Sequence, residues 1–285
     1  MEPLVEIPRE SWPALEALYA DRWPDGAVAY CILNMHLIKP NLKDAFEFKV
    51  YCPEGKLHNG MIGISLRQEY YQIMIQPLED VAQIQNALLT TKLINWNRNI
   101  MVPSANDATI QCLEKIKNEL GINVYYGKDT IAYKHILRNN SKKFDDIILP
   151  PNTNIGPLKP KHLEIVDKTW MFHGDGTCQF FDTLLRNDMT YVLYSSEGET
   201  SETPLAWVTV GDHGSLTHLY CLEEHRRKGY SELVTKYAAN DLLEKGHHVL
   251  AYTVDSNERA QNLFRKLGFQ DVGYDYWVVV NTNKC

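Results

Sequence analysis

From residue 222 the chain reads Leu-Glu-Glu-His-Arg-Arg-Lys-Gly-Tyr-Ser, three successive cations followed by a glycine. Ser215 to Leu222 before it reads as a strand, and Leu233, Val234, Tyr237, Ala238 and Leu242 after it recur at helical spacing up to Gly246. A basic, glycine-containing turn from strand to helix aims several backbone N–H groups and the positive helix end at one point, which is chemistry for holding a phosphate. Gly229 permits close backbone approach, and Arg226, Arg227 and Lys228 add charge. The bland alternative is a solvated basic patch. Neither a Walker A loop nor a dinucleotide fingerprint is present, because no Gly-Lys-Ser/Thr follows and the glycine trio is missing.

The elements around this turn read as strands at Met189 to Ser195 and Leu205 to Val210, with the polar hairpin SSEGETSET between them. After the helix come the strand HVLAYTVD, a helix from Asn257 to Leu267 stopped by Gly268, and a strand from Val272 to Val280. The first half repeats the order: EFKVYCPEGK parallels TYVLYSSEGE, NGMIGIS parallels PLAWVTV, YYQIMIQ parallels THLYCLE, and Val81 to Asn95 parallels Ser231 to Lys245. Asn106 with the stop at Gly121 mirrors Asn257 with the stop at Gly268, at offsets of 151 and 147 residues. The repeat predicts a duplicated α/β unit. Only the turn differs: Gln76-Pro77-Leu78-Glu79-Asp80 is acidic and contains proline where the second half is basic and contains glycine.

With 285 residues the chain fits two domains, expected at 1–137 and 161–285 around a Pro/Asn/Gly-rich linker at 138–160. A net charge of −7 argues against broad nucleic-acid binding, so any anion site is local. No run reaches a membrane span, the opening residues are acidic rather than signal-like, and the six cysteines are scattered without zinc spacing. The expectation is a cytoplasmic protein with reduced thiols, no metal and no membrane or nucleic-acid partner; its oligomeric state is unknown from sequence.

Residues 189–280 resemble the GNAT superfamily of N-acyltransferases. Its Arg/Gln-x-x-Gly-x-Gly/Ala signature stands here as Arg226-Arg227-Lys228-Gly229-Tyr230-Ser231, with Ser as the last small residue. Asn257 with Ala260, and Phe264-Arg265-Lys266-Leu267-Gly268-Phe269, match the downstream segment. Leu163, Val166, Trp170, Phe172 and Gly174, and the strand Ala206-Trp207-Val208, resemble the glycine N-acyltransferase-like group, which places a degenerate domain before the acyltransferase one. The resemblance implies an α+β fold with a mixed α/β sheet: two tandem GNAT-like domains, the first degenerate.

It also implies that acetyl-CoA or another acyl-CoA is the co-substrate. The strand ending at Cys221 and Leu222 would splay from its neighbour, with Cys221 and Leu222 backbone groups on the pantetheine, Arg226 to Ser231 on the pyrophosphate, Asn257 orienting the chain and Phe264 near the sulfur. Acyl transfer needs a deprotonated amine, a polarised carbonyl and a stabilised thiolate. Many relatives use Tyr where Phe264 stands, and place a carboxylate where Ser215 stands. His218 is then the local candidate base, although strand alternation puts it on the face opposite Ser215, Thr217 and Leu219 unless a bulge intervenes. Tyr220 and Tyr230 carry hydroxyls suited to the thiolate, and His173 is a candidate on the acceptor side. His247 and His248 read as cationic groups at a helix end.

The implied function is transfer of an acyl group from coenzyme A to the amine of a small molecule or amino acid. Two alternatives are a non-catalytic acyl-CoA-binding module and a protein or peptide N-acetyltransferase. Turnover of thioesters with amine and peptide panels separates the three.

Overall fold

The computed structural model describes residues 1–66, 71–79, 81–196 and 202–282. The first half runs β1 (Leu4–Glu6), α1 (Trp12–Ala20), α2 (Ala27–Ile38), α3 (Pro40–Ala45), β2 (Lys49–Pro53), β3 (Met61–Leu66), β4 (Tyr71–Gln76), α4 (Val81–Thr90), β5 (Ile100–Ala105), α5 (Asp107–Leu120), β6 (Ile122–Tyr125) and β7 (Ile131–Leu137). The second runs β8 (Thr153–Gly156), α6 (Leu163–Lys168), α7 (Thr177–Arg186), β9 (Thr190–Ser195), β10 (Thr203–Val210), β11 (Ser215–Cys221), α8 (Tyr230–Glu244), β12 (Val249–Val254), α9 (Glu258–Lys266) and β13 (Gln270–Thr282). Residues 197–201 of the expected polar hairpin lie outside the described residues.

Contacts group the chain into two compact units. Unit 1 holds residues 1–134, 253–257 and the C-terminal strand from Val272; unit 2 holds 135–252 and 258–271. In unit 1 the strand order is β1-β2-β3-β4-β5-β13, with β6 also on β13; in unit 2 it is β7-β12-β11-β10-β9-β8. Each of these strand orders therefore takes one strand from the other half of the sequence. The unit 1 core gathers Ile62, Ile73, Ile75, Leu88, Val102, Leu113 and Val278, all buried. Unit 2 buries Phe181, Leu193, Tyr194, Trp207, Val208, Val234 and Leu250. Such burial is the main source of stability, at about 25 cal/mol per Å² of apolar surface.

The duplication is visible in the hydrogen bonding. β4 pairs parallel with β5 at Tyr71↔Ile100 and Gln72↔Met101. β11 pairs parallel with β12 at Ser215↔Leu250 and Leu216↔Ala251. Both ladders are two residue pairs long among the described residues, so in each unit a strand leaves its parallel neighbour just before a helix. Helix ends follow the sequence signals. Asn106 caps α5 by accepting from the Thr109 N–H at 3.0 Å, and Gly121 stops it in the left-handed conformation. Helix α4 ends at Thr90 rather than near Asn95, because the Glu2 carboxylate takes the Thr91 hydroxyl and the Lys92 N–H (3.0 Å).

In unit 1 the backbone of the diverging strands is held by side chains from β4, α5 and α1. Gln76 Nε2 donates to the Ser104 carbonyl (3.3 Å), the Thr109 hydroxyl donates to the Ile75 carbonyl (2.8 Å), and the Tyr19 hydroxyl donates to the Gln76 carbonyl (2.5 Å). Gln76, Ser104, Thr109 and Tyr19 are all buried. In unit 2 the segment after β7 lies along α8: Asn240 bonds both the N–H and the carbonyl of Phe144 at 2.8 Å, and Lys236 pairs with Asp146 at 2.6 Å.

Candidate functional site

The basic turn leaves β11 in a defined register. Leu222 N–H donates to the Leu205 carbonyl (3.0 Å) beside the pair Ala206↔Cys221, so Cys221 belongs to a non-hydrogen-bonded pair. The N–H and carbonyl of Cys221 therefore face away from β10, on the side of β12. Leu222 is already engaged, its N–H by Leu205 and its carbonyl by the His225 N–H (2.9 Å).

A single 3-10 turn at Glu223–His225 follows, and then the chain alternates: Arg226 is extended, Arg227 has φ 63°, and Gly229 has φ 81°. Leu233 N–H donates to the Gly229 carbonyl at 3.0 Å, the first bond of α8, so Tyr230, Ser231 and Glu232 keep N–H groups outside the helical ladder. A Cβ placed on Gly229 meets no atom within 4 Å, so the space before the turn is open. Arg227, Lys228 and Gly229 are exposed. Arg226 is turned back: its Nε donates to the Cys221 carbonyl (3.2 Å), it pairs with Glu223 (3.1 Å), and its guanidinium lies 5.6 Å over the Tyr220 ring. Arg226 thus braces the turn.

On β11 the register runs from Trp207↔Tyr220 to Thr209↔Thr217, an extra residue on one strand. This bulge holds His218 at φ 48°. It brings the His218 ring to 5.9 Å from both Tyr220 and Trp207, 5.3 Å from Phe181 and 6.3 Å from Trp170. His218 Nε2 lies 2.6 Å from the Val166 carbonyl on α6, to which it donates. Burial pushes its pKa down to about 4, only partly offset by that bond and by the charge of Asp167. At neutral pH the ring is an uncharged hydrogen-bond donor.

The sequence pattern did not single out Asp167. It is buried, with Oδ1 at 2.5 Å from the Thr177 hydroxyl and Oδ2 at 3.2 Å from His173 Nδ1. In sequence it looks like any acid near the end of a short helix, and only the fold of α6 onto α7 encloses it.

The remaining expected residues are placed as follows. Ser215 is buried at the start of the β11/β12 ladder. Tyr220 stacks on Trp207 (5.2 Å), and Tyr230 lies 6.4 Å from the His225 ring. Phe264 is buried between His135 (5.5 Å) and Phe269 (5.1 Å). Asn257 falls in the segment grouped with unit 1, its N–H donating to the Val254 carbonyl (3.0 Å) just before α9. His248 is not a cation at a helix end: it is buried, Nδ1 accepts the Asn139 N–H (3.0 Å), and its pKa is pushed down to about 4. Among the described residues no group of three or more His, Cys, Asp or Glu is arranged to hold a metal ion, and no helix is long and apolar enough to cross a membrane.

Comparison with known proteins bears on the fold. Residues 193–278 match the family described as FR47-like protein. Glycine N-acyltransferase of Bos taurus is 21% identical over 215 residues, 70% of each chain. Glycine N-phenylacetyltransferase of Bos taurus is 20% identical over 219 residues, 70% of this chain and 72% of that one. An X-ray structure of a Drosophila protein superposes over the full length of both chains with a TM-score of 0.82 at 17% identity. A tandem GNAT protein from the clavulanic acid biosynthesis pathway superposes over 97% of each chain with a TM-score of 0.54 at 10% identity. The chain therefore has the tandem fold of the GCN5-related N-acetyltransferases, its FR47-like segment spans the basic turn, and it is a distant relative of the glycine N-acyltransferases.

Proposed function

We propose that this protein transfers an acyl group from acyl-coenzyme A to the amine of a small acceptor, with an amino acid as the favoured class. The observation that carries the reading is the conjunction, in unit 2, of a two-pair parallel ladder, a bulge at His218 and an open glycine turn at the start of α8. The coverage of glycine N-acyltransferase supports the acceptor class.

The residues fit the coenzyme. The open space before Gly229 accommodates a pyrophosphate, which the N–H groups of Gly229, Tyr230 and Ser231 and the charges of Arg227 and Lys228 would hold. The Cys221 N–H, aimed away from β10, suits an amide of the pantetheine arm, as does its carbonyl once Arg226 yields it. Phe264 is assigned to the same arm. A backbone N–H turned out of the ladder by the bulge would serve the thioester carbonyl, where negative charge develops as the amine attacks. The Tyr220 hydroxyl, on the strand that carries the bulge, is assigned to the departing thiolate, and neutral His218 fixes the bulge against α6.

The test is release of coenzyme A thiol from acetyl-, longer-chain and aryl-CoA thioesters in the presence of glycine, other amino acids, simple amines and short peptides. Amine-dependent release with at least one amino acid is expected. Thioester binding without release from any acceptor would overturn the catalytic reading in favour of a binding module, and release with peptides alone would overturn the acceptor class.

A further inference from the structure

In unit 2 a second histidine is arranged differently from His218. His173 lies in the turn between α6 and α7, tied by its N–H to the Trp170 carbonyl at 2.9 Å. Its side chain is 46% exposed, whereas the carboxylate it faces, Asp167, is 8% exposed. Asp167 Oδ2 is 3.2 Å from His173 Nδ1, and its other oxygen is held by Thr177, the first residue of α7. A buried carboxylate at Nδ1 fixes the tautomer with the proton on that nitrogen, which leaves the Nε2 lone pair on the exposed edge of the ring. His218 has the reverse arrangement, with Nε2 committed to the Val166 carbonyl, the residue next to Asp167.

The pair belongs to the reacting end of the unit. Trp170 touches His218, Phe181 and Phe172, so the turn bearing His173 packs directly over the bulge of β11. The charge of Asp167 is felt on three elements, by Lys168 on α6, Cys178 on α7 and His218 on β11.

We propose that His173, oriented by Asp167, is the base that takes the proton from the incoming ammonium, with Asp167 as its positioning residue. The inference rests on the acyl-transfer reading above. The acceptor arrives as an ammonium and gives one proton to His173 Nε2, which later passes it to solvent. The free nitrogen then forms the C–N bond, the C–S bond breaks, the electron pair leaves on sulfur, and the second nitrogen proton ends on that sulfur. The products are the amide and coenzyme A thiol.

The test uses the full-length chain and two variants, His173→Gln and Asp167→Asn. Expected for His173→Gln is a fall in kcat of about 10²- to 10⁴-fold, the range for general bases, with acyl-CoA binding within twofold of wild type by titration calorimetry. For Asp167→Asn a smaller fall is expected, with the His173 ring, followed by nitrogen NMR, losing the fixed Nδ1–H tautomer that the wild type holds. Turnover of His173→Gln within threefold of wild type, or an unchanged His173 tautomer in Asp167→Asn, would overturn the proposal. Failure of wild-type protein to bind or turn over any thioester would overturn the acyl-transfer reading instead, and the NMR arm reports on the pair in either case.

Discussion

Gly229 and Gly246 flank α8 with nearly the same backbone, φ 81° and 79°, and a Cβ at either meets nothing within 4 Å. Alanine at each position therefore carries a similar left-handed penalty, about 1 kcal/mol, and no clash. Only Gly229 lies where a pyrophosphate would press against the backbone. Wild-type protein with acyl-CoA at 100 times its Kd should gain about 2.7 kcal/mol of stability. Displacing the phosphate from one or two charge-assisted bonds, at about 1.5–3 kcal/mol each, raises Kd about 100-fold. At the same ligand concentration the gain of Gly229→Ala falls to about 0.4 kcal/mol. With about 2–4 °C of Tm per kcal/mol for a chain of this size, the ligand shift drops from several degrees to about one. Gly246→Ala should lose the same intrinsic stability and keep the full shift. Differential scanning fluorimetry with and without acetyl-CoA reads all three proteins. Equal shifts in the two variants would refute placement of the anion at the turn.

His218 links stability to pH. Its folded pKa is depressed to about 4, while an unfolded histidine titrates near 6.5. The unfolded chain therefore takes up a proton that the folded chain refuses, so stability is full above about pH 6.5 and declines by up to about 3 kcal/mol as pH falls toward 4. His218→Gln keeps a donor for the Val166 carbonyl and should flatten much of that decline in urea unfolding at pH 7 and 4.5, His248 supplying a residual slope. The Lys134–Asp275 pair is buried with both contacts at 3.0 Å. Lys134→Met alone should destabilise by about 3–5 kcal/mol, and adding Asp275→Leu should restore most of it, as denaturant titration will show. Asn240→Ala removes both bonds to Phe144 and should cost about 1–3 kcal/mol, with faster hydrogen exchange at the Phe144 amide than at Ala238 in the middle of α8.

What was legible in the sequence is what local physics dictates. The helix after Gly229, the left-handed stops at Gly121, Gly246 and Gly268, and the strands from Thr190 to Cys221 follow from periodicity and glycine conformation, and the structure has them within two residues. The bulge at His218 was expected only as the condition for that histidine to leave its alternation, since nothing in Leu-Thr-His-Leu-Tyr marks a left-handed residue. Asp167 was missed because a buried carboxylate is defined by what folds over it, here Thr177 and His173 from the following turn and helix. The grouping of β13 with unit 1 was equally invisible, because strand partnership depends on which edge is vacant rather than on the strand's own residues.

The duplication makes the two units controls for one another. Each contains a strand that leaves its parallel neighbour after two residue pairs among the described residues. A divergence of this kind exposes backbone polar groups that must find partners. Unit 1 supplies them from within, with Gln76 reaching Ser104, Thr109 reaching Ile75 and Tyr19 reaching Gln76. Carrying Tyr71 onto Ser215 by the parallel ladders and Asn106 onto Asn257 by the repeat, Gln76 and Thr109 fall in the second half on Tyr220 and Ala260, so the Gln76 amide and the Thr109 hydroxyl have no counterpart there. Unit 2 thus keeps Cys221 with its polar groups turned from β10 and an open glycine turn beside it. The same scaffold is closed where the turn is acidic and holds proline, and open where it is basic and holds glycine. The contrast between the two strand ends then rests on a handful of side chains at corresponding positions.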